Sequence, residues 1–168
     1  MLNPAMTWNT SGRHIPDLRN DFALVAEPVH PGARQLLDYW RERVADGGFV
    51  VGRDIPARRV VKLLPNVTVY EPLADGSDLR VRLAGGAIRR RFGKEIKGRY
   101  MSELFSPEDF KRHHEDSREV LRSGAPAFVD SRLLRENNLE MHLEVVILPV
   151  TAPDKISPWL LIGLFYFD

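Results

Sequence analysis

The hydrophobic period of residues 79–99 changes abruptly, and few backbone paths satisfy both halves. Leu79, Val81 and Leu83 alternate with Arg80 and Arg82, the pattern of one face of a strand. Beyond Gly85 and Gly86 the apolar residues are Ile88 and Phe92, four apart with three arginines between them. That spacing predicts a short helix with a single buried stripe, closed by Gly93, which accepts the left-handed cap conformation. A strand must therefore turn through two glycines into a helix of one or two turns.

The rest of the chain supplies the partners for this junction. Residues 1–29 lack a sustained period, contain Pro4, Pro16 and Pro28, and read as a loosely ordered lead. A helix opens at His30-Pro31-Gly32 and carries the stripe Leu36, Leu37, Trp40 and Val44 against a charged opposite side. A second short helix is expected over 54–65, with Asp54 as N-cap, Pro56 in its first turn and Pro65 as its stop. Residues 67–70 form a first strand, and Asp75-Gly76 turns the chain into the strand 79–84. A helical turn over 101–105 precedes a helix over 107–123, with Ser106 as its cap. Strands over 127–134, 139–150 and 158–167 close the chain, the first two joined by Arg135-Glu136-Asn137-Asn138. Helices grouped between two and three antiparallel strands predict an α+β domain around one five-stranded sheet. The organisation is a lead over 1–29, a helical extension over 30–65 and a core over 66–168.

The wording of 80–104, with "RLAG", "AI", "FG", "GR" and "SEL", resembles the front half of a PAS sensory domain. It is similar to a subfamily of small bacterial PAS proteins. The leading "LLDYWRERV" and "DIPARRVVKLLPNVTVYEP" segments share the likeness, whereas the connector 47–53 lacks the proline-serine pair expected there. The resemblance implies a sheet in spatial order 2-1-5-4-3, helices across one face and the leading amphipathic helix docked nearby. It also implies a sensory or regulatory role in signal transduction, exerted through a ligand or through protein–protein contacts, with no output domain of its own.

In such a fold the short helices, the long helix and the sheet enclose a cavity or a filled core. Leu83, Ile88, Phe92, Phe105 and Phe110 are the candidates on the helical side and the neighbouring strand. Met141, Leu143 and Val145, with Ile147, share one strand face as the candidate floor. His113 and His114 follow Phe110 at helical spacing, and Ser117 continues their stripe. In the haem-binding relatives that this helix resembles, a histidine near the position of His114 is the axial ligand. That makes haem one cofactor reading, with an inter-helix hydrogen bond or solvent exposure as the others. Leu36, Leu37, Trp40 and Val44 are too apolar to face water; a symmetric homodimer with helix 33–45 at or beside its two-fold axis is expected, with docking on the chain's own sheet as the alternative.

Composition narrows the field. The 168 residues contain no cysteine, which excludes disulfides, thiol nucleophiles and cysteine-bonded flavin. A formal charge of +1 offers no global pull on nucleic acid, and the arginines of 80–99 read as a solvated, acid-paired face rather than a phosphate site. No apolar run approaches the ~20 residues of a membrane span, and no basic-then-apolar leader opens the chain, so a cytoplasmic protein is expected. No enzyme motif is present. The alternatives to a sensor are a small cone-shaped enzyme resembling the ketosteroid isomerases, which needs a pocket carboxylate, and a ligand-free interaction module. A stand-alone PAS protein implies a separate signalling partner, and the pocket residues imply a small apolar ligand.

Overall fold

The computed structural model describes residues 17–135 and 140–168; residues 1–16 of the lead, Glu136-Asn137-Asn138 of the expected hairpin loop and Leu139 at the start of the expected strand 139–150 lie outside it. Its elements run β1 (Asp17–Val25), α1 (Pro31–Ala45), β2 (Val67–Pro72), β3 (Leu79–Ala84), α2 (Gly86–Phe92), α3 (Met101–Leu104), α4 (Pro107–Ser123), β4 (Ala127–Arg135), β5 (Glu140–Thr151) and β6 (Pro158–Tyr166). The sheet is antiparallel, in the order β1-β4-β5-β6-β2-β3. Without β1 this is the expected arrangement of five strands. The sixth strand comes from residues read as loosely ordered lead: Phe22 pairs with Ser131 and Leu24 with Val129. Its polar, aperiodic sequence carries little strand signal by itself, and the ladder offered by β4 supplies the order.

The expected caps form. Gly93 and Gly124 close α2 and α4 with φ of 69°, and the Ser106 hydroxyl accepts from the Asp109 amide. The β3–α2 junction requires Gly85 for closeness, since a Cβ there would lie 2.0 Å from the Leu64 carbonyl oxygen.

Two apolar layers flank the sheet. On one face α2, α3 and α4 cover Tyr70, Val81, Val129, Leu143, Val145 and Ile162, with Ile88, Phe92, Met101 and Val120 from the helices. On the other, α1 and the connector cover Val69, Phe128, Val146, Leu148, Leu161 and Phe165. The α1 stripe is thus spent inside its own chain. Leu36, Leu37 and Trp40 are buried with Ala33 and Tyr39, while Val44 in the last turn stays exposed. The helix approaches β6 so closely that a Cβ at Gly163 would meet Leu36 at 2.6 Å.

The expected helix over 54–65 is replaced by two single 3-10 turns, Arg58–Val60 and Leu64–Asn66. The backbone closes in tight three-residue steps, the Val60 amide donating to the Ala57 carbonyl and the Leu63 amide to the Val60 carbonyl, and Ile55, Val60 and Leu63 pack into the layer under α1. Asp54 does not cap a helix: its carboxylate accepts from the Val50 amide at 2.7 Å and from the Arg53 guanidinium at 2.8 Å. Burial raises its pKa, but these bonds outweigh that and hold it below the ordinary aspartate value.

Candidate functional site

Among the described residues, His113 on helix α4 is the histidine that enters the core. His113 is fully buried, and its ring meets Phe105 edge-on at 4.4 Å and Phe22 at 6.3 Å. One turn later on the same stripe, Ser117 is also fully buried. Neither ring nitrogen of His113 nor the Ser117 hydroxyl has a hydrogen-bond partner among the described residues. Burial, reinforced by the nearby Arg112 charge, keeps the His113 pKa well below the usual histidine value, so the ring is neutral at pH 7.

Strand residues add to this set. Ser131 shares the inward strand face of Val129 and Leu133, is fully buried and leaves its hydroxyl unpartnered among the described residues. It is the ladder partner of Phe22, the residue whose ring edges His113. The Tyr70 hydroxyl lies in the same core layer without a described partner, and burial together with Asp78 raises its pKa. Sequence reasoning passed over Ser131 and Tyr70. The signal for Ser131 was a serine at an inward position of an otherwise apolar alternation.

Of the residues expected in the pocket, Ile88, Phe92, Phe105, Leu143 and Val145 are buried in this layer, and Phe110 and Met141 pack against its margin. Leu83 does not belong to it. Val69 pairs with Leu83 but Tyr70 pairs with Val81, so Arg82 forms a bulge and Leu83 turns to the opposite face. His114 also leaves the site: its Nε2 donates to the Gly76 carbonyl at 2.7 Å and its ring stacks on Phe110. These residues do not fit a haem. The histidine at the implied axial position is bonded to the β2–β3 turn, and the inward histidine has Phe105 against its ring.

Among the described residues, the buried acids and the histidines of the opposite face are already satisfied. The buried Glu144 carboxylate accepts from the amides of Val29 and His30 at 2.9–3.0 Å. His30 caps α1 by accepting from the Gly32 amide at Nδ1 and donates from Nε2 to the Tyr166 carbonyl. His142 bonds Asp130 and stacks on Phe167. Three of the arginines from 80–99 pair with acids: Arg82 with Glu71, Arg89 with Glu95 and Arg99 with Glu103. A surface cleft of about 760 Å³ between Pro72, Leu121, Pro153 and Trp159 contains none of the expected pocket residues. Its acids are engaged, Glu71 by Arg82 and Asp154 by the amides of Ile156 and Ser157. Among the described residues, the fully buried unpartnered side chains of the helix-covered face are thus His113 and Ser117 on α4 and Thr68, Tyr70 and Ser131 on the strands.

The family model described as PAS domain matches residues 29–165. Among solved structures, the chain is similar to a variant PAS-B domain of Drosophila melanogaster Cycle with bound glycerol. Identity is 14%, with 61% of this chain and 99% of that one covered and a TM-score of 0.44. It is also similar to an RNA-binding light-oxygen-voltage receptor, at 15% identity over 92% of this chain and 40% of that one, with a TM-score of 0.42. No curated protein matches.

Proposed function

The chain belongs to the PAS domain family, and we propose that it is a ligand-responsive regulatory module in which a small molecule held around His113 alters contacts with another protein. The observation that carries this reading is the pair of fully buried polar side chains on α4, His113 and Ser117, neither with a described partner. Leaving such groups unsatisfied costs about 1–3 kcal/mol each, a cost that a bound molecule with a donor and an acceptor offsets. Ile88, Phe92, Phe105, Phe110, Met141, Leu143 and Val145 supply an apolar wall, and Ser131 and Tyr70 extend the polar set.

A catalytic reading has less support. Ketosteroid-isomerase-like chemistry needs a carboxylate in the pocket. Here the two buried acids, Asp54 and Glu144, both accept backbone amide hydrogen bonds, and the inward residues of β5 are Leu143, Val145 and Ile147. For output, the reading is of a cytoplasmic protein acting through self-association or a separate signalling protein. Leu36, Leu37 and Trp40 are committed to the chain's own sheet, so a homodimer contact falls elsewhere, on a surface such as the exposed side of α1 with Val44. Sedimentation velocity at high micromolar concentration tests the dimer, and a strictly monomeric species rejects it.

The ligand reading is tested by two-dimensional NMR of the full chain titrated with a library of small organic molecules, neutral and charged. Saturable shifts of Phe105, His113, Ser117 and Ser131 are expected from some members. A library whose members shift only other residues, or none, overturns it.

A further inference from the structure

We infer that the ligand of the His113 site is a small uncharged molecule bearing a hydroxyl or carbonyl oxygen on an apolar body; this rests on the ligand-binding reading above. The argument is one of charge. Among the described residues, the fully buried polar side chains of this sheet face are the His113 imidazole, the hydroxyls of Ser117, Ser131 and Thr68 and the phenol of Tyr70, all uncharged at pH 7. Arg91, partly buried at the margin over the Tyr166 ring, is already engaged. The fully buried carboxylates among the described residues are elsewhere and occupied: Glu144 serves the entry to α1, and Asp54 is held by Val50 and Arg53. Asp116 on α4 is half-buried at the outer margin, in a surface cleft with Arg112. Arg112 is solvent-exposed and lies over the Phe22 ring, 4.5 Å from its centroid.

A charged ligand would therefore lose its hydration without gaining a buried counter-charge. A neutral oxygen meets no such obstacle. The imidazole offers one N–H and one lone-pair nitrogen, and each hydroxyl can donate and accept, so a carbonyl or alcohol finds complementary groups in either sense. Phe22 and Phe105 edge the imidazole, and Leu143 and Val145 belong to the same layer, so the remainder of the molecule must be apolar. The close packing of that layer restricts the molecule to a few non-hydrogen atoms.

Size-matched probes separate charge from shape. The full chain is titrated with butanone and butan-2-ol as neutral members, and with propionate and butylammonium as charged ones, following the His113, Ser117 and Ser131 signals by NMR. The neutral probes are expected to shift these signals saturably, and the charged probes to bind at least about tenfold more weakly. His113→Phe, which exchanges a buried polar ring for an apolar one, is expected to fold and to lose about tenfold or more in affinity for butanone. Ser117→Ala provides the second variant should the Phe ring not be accommodated, with a weaker butanone shift expected. Propionate or butylammonium binding as tightly as butanone at those signals overturns the neutral-ligand inference and leaves the ligand site standing. Unchanged butanone affinity in a folded His113→Phe or Ser117→Ala variant overturns the inference as well. If no probe of either kind shifts those signals, the inference and the site fall together.

Discussion

Glu144 lies in the middle of the sheet, yet its work is done at the entrance of a helix. Its side chain is buried, and its two oxygens accept from the Val29 and His30 amides just ahead of α1. Replacing Glu144 with Gln keeps the shape but exchanges one acceptor for an NH2 group, which then confronts a backbone donor. Hydrogen bonds to a charged acceptor contribute about 1.5–3 kcal/mol, and one of the two is lost. Glu144→Gln should therefore cost about 1.5–3 kcal/mol. In a domain of this size that lowers Tm by roughly 3–12 °C. Urea denaturation with matched m-values measures the cost, and amide hydrogen exchange localises it. Protection should fall first in Val29, His30 and the opening turn of α1, because the clasp holds that end, while β5 and β6 keep theirs. A Gln variant within about 0.5 kcal/mol of wild type, with α1 protection unchanged, would show that water serves these amides equally well and would refute the reasoning.

Three further outcomes are expected. Phe92 is 1% exposed and meets Phe105 edge-on at 6.0 Å, so Phe92→Ala should cost about 3–5 kcal/mol in urea denaturation; a loss below about 1 kcal/mol would contradict its core position. Gly85→Ala forces a Cβ to 2.0 Å from the Leu64 carbonyl oxygen and should cost about 3 kcal/mol or more, with a near-neutral thermal shift arguing against the β3–α2 packing. His113 is a base whose folded pKa is depressed by burial, so below the unfolded value near 6.5 the denatured chain binds a proton that the native chain refuses. Stability should accordingly fall as pH drops below about 6.5, by up to about 1.4 kcal/mol per pH unit from this residue, and His113→Phe should remove that portion of the slope. Equal slopes for the two proteins between pH 6 and 5 would place the imidazole in contact with water.

Local signals in the chain reach as far as local physics does. The switch of period at Gly85-Gly86, the caps at Ser106, Gly93 and Gly124, and the strand alternation of β5 can be read without coordinates, because each is decided within a few residues. They were sufficient for the element order from α1 onward apart from the expected helix over 54–65, for the expected five-strand arrangement and for most of the apolar wall of the candidate site. Three decisions were tertiary. β1 is ordered by the ladder it shares with β4, not by its own polar sequence. Leu83 changes face because Arg82 bulges out of register with β2, and an alternation count cannot see a register shift. The adjacent histidines part company because position around α4 turns by about 100° per residue. His113 meets Phe105 in the core, while His114 meets the Gly76 carbonyl of a turn 38 residues away in the chain. Composition and spacing could place a histidine in that region; only packing against the sheet selected which ring lost its water.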